Sequence, residues 1–322
     1  MFQKPLGRGR MSFIYRGVDT SNGNPVAIKV IALKECQKTF DPNDIKHDVH
    51  FLQQFPATHT VKFLDLKLTS HNLYIITECC EGDTFAQYIS EHHTMSEPEA
   101  LNMIKQIAQA FIDISEMSKK NPEYKHYFRH GELIPSKVML LKNGKVKIAD
   151  FGIPTLVEKI MDVMMVTQYT QNRCFPYESP QLLRFEEFGP RSDVWSAGVI
   201  LYEALCGHTP WGSKNSLTEQ IKKIEEIGLK FEHNISSDVQ NLIKHMLKVN
   251  EKDRYSWEQV LDHRAIKKLT ASPLKNLRTS QLKANERNKS AEKKKTANFN
   301  TGNQSQKASE LKLVLVKAKS QY

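Results

Sequence analysis

The pattern of apolar and polar positions divides the chain into three zones. From residue 1 to about 80, β-branched or alternating runs dominate. FIYRGVD, PVAIKVIAL, KFLDLKL and LYIITEC read as strands, and SNGN between the first two is a hairpin turn signal. One segment of this zone, IKHDVHFLQQF, places Ile45, Val49 and Leu52 at helical spacing. From 81 to 263 the period is mainly helical. SEPEALNMIKQIAQAFIDI opens with Ser96 as N-cap, then Pro98 and acids in the first turn, and Ile104, Ile107, Ala108 and Phe111 mark one apolar face. DVWSAGVILYEAL, LTEQIKKIEEI, DVQNLIKHML and SWEQVLDH read as further helices. From 264 to 322 no apolar period survives, and a disordered arm is expected. Its end, ELKLVLVKAK, is a short apolar exception.

Composition sharpens the last boundary. The chain has 322 residues and a net charge of +10. Residues 264 to 322 hold 15 Lys and Arg against 3 Asp and Glu, leaving 31 basic and 33 acidic residues in the rest. The basic excess is therefore confined to the arm. The start, MFQKPLGRGR, lacks the apolar stretch of a secretory signal. VWSAGVILYEALCG, the longest mostly apolar run, is too short and interrupted to cross a bilayer and reads as a buried helix. Cys36, Cys79, Cys80, Cys174 and Cys206 form neither a disulfide framework nor a zinc pattern, so reduced thiols in a cytoplasmic setting are expected.

Three short motifs carry chemistry. LGRGRMSFIYRG sets Gly7 and Gly9 in a strand–turn–strand loop, where backbone amides can approach phosphate oxygens. An ordinary turn explains that loop equally well by itself. VAIK places Lys29 on the following strand, about twenty residues on, where it can be aimed at bound phosphates. DFG places Asp150 at the end of the strand KVKIA, a position from which a carboxylate can hold Mg²⁺. Each motif alone is weak. Their order is specific: Gly loop, VAIK, acidic helix, DFG, SPQ at Ser179 to Gln181, and DVWSAGV at Asp193 to Val199.

With that order the chain resembles the eukaryotic protein kinase family from Leu6 to about His263. YESPQLL and NEKDRYSWEQVLDH resemble its ULK-like serine/threonine group. The resemblance implies an α+β, two-lobed protein kinase fold, with a small antiparallel sheet and one helix over 1–80 and a mainly helical lobe over 81–263. The first strand is expected to be shortened, and the start incomplete. ATP would lie between the lobes, under Gly7 and Gly9 and against Ala27, Lys29 and the hinge residues Glu78 to Cys80. Thr77 would stand at the back of the pocket. Asp48 takes the place of the helix glutamate that pairs with the lysine, one methylene shorter.

The resemblance fails where phosphate is transferred. The family's HRDLxxxxN aligns with His130 to Lys137. Gly131 stands for the arginine that answers a phosphorylated activation loop. Glu132 stands for the catalytic base, its oxygens displaced by roughly an ångström, and misplacement of that size can cost about 10²-fold. Ile134 stands for the lysine aimed at the γ-phosphate. Lys137 stands for the metal-binding asparagine, and an ammonium has no lone pair to give a cation. Two outcomes are open: Lys137 displaces a metal and touches phosphate directly, or it fills the site against nucleotide. The threonine that braces the catalytic aspartate is Cys174, and the glutamate that pairs with Arg254 is Gln181. His130 is expected to be a packing residue.

The losses fall on the transfer side, while Gly7, Gly9, Ala27, Lys29 and Asp150 remain. This implies a pseudokinase, a scaffold or allosteric partner with residual ATP binding and uncertain Mg²⁺. A weakly active serine/threonine kinase, using Glu132 as base and Asp150 as metal ligand, is the alternative. A structural protein with a filled cleft is a third. Thr167, Tyr169 and Thr170 lie in the segment where phosphorylation is expected, but without the arginine to receive it. The arm has three readings: a solvated extension, a contact with an acidic partner, or docking through ELKLVLVKAK. Phe299 and Tyr322 are its only aromatics, and no nucleic-acid-binding motif is present.

Overall fold

The computed structural model describes residues 2–8, 12–32, 42–122, 129–160, 175–213, 215–231 and 235–271. A five-stranded antiparallel sheet opens the chain. Its strands are β1 (Phe2–Arg8), β2 (Ser12–Val18), β3 (Pro25–Ala32), β4 (Phe63–Leu68) and β5 (Asn72–Glu78), in the order β1-β2-β3-β5-β4. All four strands read from the alternation are present. β1 is not shortened: it runs for seven residues and pairs with β2 from Phe2↔Gly17 to Arg8↔Phe13. The β2–β3 turn closes because Asp19 accepts from Ser21 and Asn22, while Gly23 takes a left-handed φ of 76°.

Helix α1 (Pro42–Gln53) covers the sheet with Phe51 and Leu52, both buried, and Phe55 follows it into the core. The chain then forms β6 (Gly82–Thr84), α2 (Phe85–His92) and the long α3 (Glu97–Lys120). Ser96 stands before α3, its backbone N–H and its hydroxyl both donating to the Glu99 carboxylate. The face read from the sequence, Ile104, Ile107, Ala108 and Phe111, is buried. A 3-10 turn (Pro135–Lys137) leads into β7 (Val138–Leu141), β8 (Val146–Ile148) and α4 (Ile153–Ile160), with β6, β7 and β8 forming a second sheet. No periodic signal marks β6, α2 or α4, which have three, eight and eight residues.

The second half is helical: α5 (Pro180–Leu183), α6 (Ser192–Cys206), α7 (Leu217–Glu226), α8 (Ser237–Met246), α9 (Trp257–Asp262) and α10 (Arg264–Lys267). α6 is the core helix expected from its composition, buried at nearly every position. It meets α8 so closely that a Cβ at Gly198 would lie 2.9 Å from Met246 Cβ, so only glycine fits. One apolar core runs through both lobes. Its spine is aromatic: Phe151 meets Phe55 at 5.9 Å and Phe111 at 5.0 Å, and Phe111 stacks on Trp257 at 4.3 Å.

The boundary expected at 263 is corrected. Arg264 begins α10, Ala265 and Ile266 are buried, and Arg264 and Lys268 both pair with Asp238. One compact unit covers Met1–Ala271, and Ser272–Tyr322 is a separate unit outside the described residues. Four residues cannot show a helical period, and their basic side chains resemble those of the arm, so the sequence assigned them wrongly.

Candidate functional site

Strand register assembles one wall of the cleft. Gly7 pairs with Ile14, Ile14 with Lys29 and Lys29 with Ile75, so Gly7 and Lys29 share one row and one face. Ala27, two residues from Lys29, lies on that face too, opposite Thr77 on β5. A Cβ at Gly7 would meet nothing within 4 Å, which leaves open space at this position. Gly9 lies outside the described residues. The third position of the loop, Ser12, is buried and paired with Ile31.

Glu78 and Cys80 are placed differently from Thr77. Successive residues of a strand face opposite ways, and the Glu78 carboxylate accepts from the Lys62 N–H at 2.8 Å and pairs with Lys147. Both residues line an open groove of about 490 Å³ with Ala57, Lys145 and Lys147. Burial, then the nearby Glu78 charge, pushes the Cys80 thiol up to about 12, so it is neutral and unreactive at ordinary pH. The Glu78 side chain therefore braces this connection through Lys62 and Lys147.

The loop wall is held by backbone hydrogen bonds. Asp193, buried at the start of α6, accepts from the N–H groups of His130 (2.9 Å) and Gly131 (3.0 Å). Burial raises the Asp193 pKa, against the opposing pull of His130. Gly131 turns with φ 72°, a conformation that favours glycine. His130 is the packing residue expected. It is buried, bonds the Ala149 carbonyl at 2.9 Å through Nε2, and lies edge-on to Phe151 at 5.4 Å. The nearest arginine in sequence, Arg129, does not replace the missing one. Its guanidinium lies 4.5 Å from the Phe188 ring centre and donates to the Phe188 carbonyl.

Lys137 and Asp150 are brought side by side by the sheet. Lys137 closes the 3-10 turn, its carbonyl accepts from Ala149 at 2.8 Å, and Val138 pairs with Ile148. Asp150, at φ 62°, then turns its carboxylate back toward the loop wall. One of its oxygens takes two ammoniums: Lys29 at 2.8 Å from the sheet wall, and Lys137 from the loop wall. The three side chains are 10 to 16% exposed. Burial alone would raise the Asp150 pKa, but Lys137 and Lys29 override it and hold the carboxyl well below the carboxylate range. Burial likewise opposes the charge on Lys29, and Asp150 followed by Glu132 outweighs it, so that pKa is raised. Asp48 is buried on α1, and the carboxylate that Lys29 meets is Asp150.

A protein kinase domain model matches residues 1–266. The chain belongs to the protein kinase family. It is 26% identical to the serine/threonine-protein kinase atg1 of Dictyostelium discoideum, over 82% of this chain and 38% of that protein. It is 29% identical to calcium-dependent protein kinase 5 of Plasmodium falciparum (84% and 45%) and 27% identical to the serine/threonine-protein kinase PLK4 of Aedes aegypti (83% and 33%). The chain thus spans less than half the length of these relatives. The first of them accords with the ULK-like resemblance of its short motifs. No described helix is long and apolar enough to cross a membrane.

A protein kinase domain implies ATP and Mg²⁺ in general, and the residues here can be tested for that fit. Mg²⁺ demands oxygen ligands in near-octahedral arrangement. This kinase offers Asp150, already neutralised by two ammoniums, and Lys137 where a neutral oxygen would stand. The donor set does not suit Mg²⁺.

Two features of this domain had no signal in the sequence: the role of Glu251, beside the Gln181–Arg254 pair that the sequence implied, and helix α4. Gln181 meets Arg254 at 2.9 Å, as its position implies, but without a charge. Arg254 is buried, which lowers its pKa to about 10, and the charge that favours its cationic form comes from Glu251. The Glu251 carboxylate also accepts from the N–H groups of Gly189 and Arg191. The helix α4 is the other. Ile153, Leu156 and Val157 are buried and anchor the chain directly after DFG. Thr167, Tyr169, Thr170 and Cys174 lie outside the described residues.

Proposed function

We propose that this kinase domain is a pseudokinase, a scaffold or allosteric partner of other proteins that retains a nucleotide cleft. The observation that carries the reading is the ion pair of Lys137 with Asp150, which puts an ammonium where phosphoryl transfer needs a metal ligand. The other changes point the same way. Ile134 brings no charge to a developing phosphoryl transition state. Arg129 is committed to Phe188. Meanwhile the sheet wall retains Gly7, Ala27, Lys29 and Thr77 on one face. ATP held there would be a structural ligand, stabilising the folded domain by mass action. A cytoplasmic setting follows from the cysteine pattern and stays part of this proposal. The basic arm would supply a contact with an acidic surface of a partner.

A weakly active serine/threonine kinase is the second reading, because one observation favours it. The Glu132 carboxylate is near enough to act on Lys29, so an acid still stands in the cleft. Phosphate transfer from labelled ATP to generic protein substrates separates the two. The pseudokinase reading expects the wild-type rate to equal that of Asp150→Ala and Asp150→Asn. A wild-type rate abolished by both substitutions overturns it. The double substitution Glu132→Asp with Lys137→Asn restores the family's residues at two positions and gives the positive control.

A further inference from the structure

Resting on the nucleotide-binding part of the reading above, we infer that this cleft takes a nucleoside polyphosphate without a divalent cation, with the Lys137 ammonium in the cation's place. In a metal-dependent site the ion bridges a protein carboxylate and the phosphates. Here that bridge is already built from side chains. Lys137 Nζ sits on the Asp150 oxygen that Lys29 also contacts. An ammonium has three N–H donors and no acceptor. One or two of those donors serve Asp150, and the remainder are available to phosphate oxygens.

The charges favour this arrangement over a metal. Lys29 and Lys137 bring two positive charges to one carboxylate, and all three side chains are at most 16% exposed. Glu132 also acts on Lys29 from nearby. A polyphosphate entering this cluster meets two fixed cations at a site of low water content, where the attraction is stronger than in bulk solvent. A divalent ion entering the same place would stand beside the two ammoniums that Asp150 already holds on one oxygen. Like charges in such a site repel strongly. The adjacent position adds no oxygen ligand, because it is lysine. The fold makes Lys137 hard to move away, since its backbone is tied on both sides, from its N–H to Ile134 and from its carbonyl to Ala149.

Calorimetric titration of the full chain with ATP, in EDTA and then in excess Mg²⁺, tests this. The expected dissociation constants agree within about twofold between the two conditions. Lys137→Asn should weaken binding in EDTA by about tenfold and make the remaining binding depend on Mg²⁺. Lys137→Gln, which removes the charge and adds no carboxylate, should show the same loss in EDTA. Thermal melting of each variant without ligand verifies that it folds. Wild-type binding at least about tenfold weaker in EDTA than in Mg²⁺ overturns the inference. So does absence of binding in both conditions, or an affinity in EDTA that neither Lys137 substitution changes. These are binding results. Failure of the pseudokinase reading shows instead as phosphate transfer, so the two failures are told apart.

Discussion

The two walls of the cleft were treated differently by sequence. On the sheet wall, Gly7, Ala27, Lys29 and Thr77 keep the family's residue types and share one face by strand register. On the loop wall the backbone is held in place, and under the proposed function its side chains no longer carry the transfer chemistry. His130 and Gly131 still donate to Asp193, and Ala149 still bonds the Lys137 carbonyl. Yet Gly131, Glu132, Ile134 and Lys137 stand where the resemblance implies an arginine, an aspartate, a lysine and an asparagine. The lesson is that this loop's shape and its reactivity are separable. Shape rests on main-chain groups, one buried aspartate and the left-handed turn at Gly131. Reactivity rests on the side chains alone. Asp150 is where the walls meet, taking Lys29 from one and Lys137 from the other.

Removing that joint should have the largest effect. Asp150→Ala leaves two buried ammoniums facing each other, and chemical unfolding should show a loss of about 3 kcal/mol. A loss below about 1 kcal/mol would mean that the walls are not joined through this carboxylate, and that solvent screens the lysines. A second substitution sharpens the account of the loop wall. Gly131→Ala has open space for its Cβ but must adopt φ 72°, so a loss of about 1 kcal/mol is expected in the same assay. No loss would mean that the turn relaxes, and that Asp193 fixes the loop less firmly than its two hydrogen bonds suggest.

Gln181→Glu tests a site away from both walls, with a gain of up to about 1 kcal/mol expected. The new carboxylate would face Arg254, now 2.9 Å from Gln181. A melting temperature that falls instead would show that Glu251 already satisfies the arginine and that a further buried acid is a cost. The smallest expected effect is that of pH on the joint. The folded pKa of Asp150 lies below its unfolded value, so its contribution is present above the unfolded value near 3.8 and lost only as pH falls through the lower folded one. The folded pKa of Lys29 lies above 10.5, so its contribution is present below 10.5 and lost as pH rises through the folded value. A double-mutant cycle of Lys29→Met and Asp150→Asn should therefore give the same coupling at about pH 6 and about pH 9. A coupling that halves between them would place a titration inside that window and contradict the charge assignment.

Much of the fold was legible before the structure. β2, β3, β4 and β5 follow the alternation, and the apolar faces of α3 and α6 follow the helical period. β6 and the eight-residue helices α2 and α4 were missed, because so few positions show little period. The site was legible as a set of motif positions, though Glu78 turned out to brace the hinge from the outer face. Glu251 was missed because its task is to accept from the N–H groups of Gly189 and Arg191, some sixty residues earlier, and no local pattern marks such a partner.

By itself the sequence determined the order of the main elements, the apolar faces, the charge of the arm and a lysine at position 137. These depend on residue identity and on contacts within a few positions. Tertiary structure alone decided that Lys29 and Lys137 share one oxygen of Asp150, that Arg129 goes to Phe188 and that the compact unit runs to Ala271. Lys29 and Asp150 are 121 residues apart. Which charge finds which partner over such a distance is set by how the sheets and helices pack, since burial makes an unpaired charge too costly to leave where it falls.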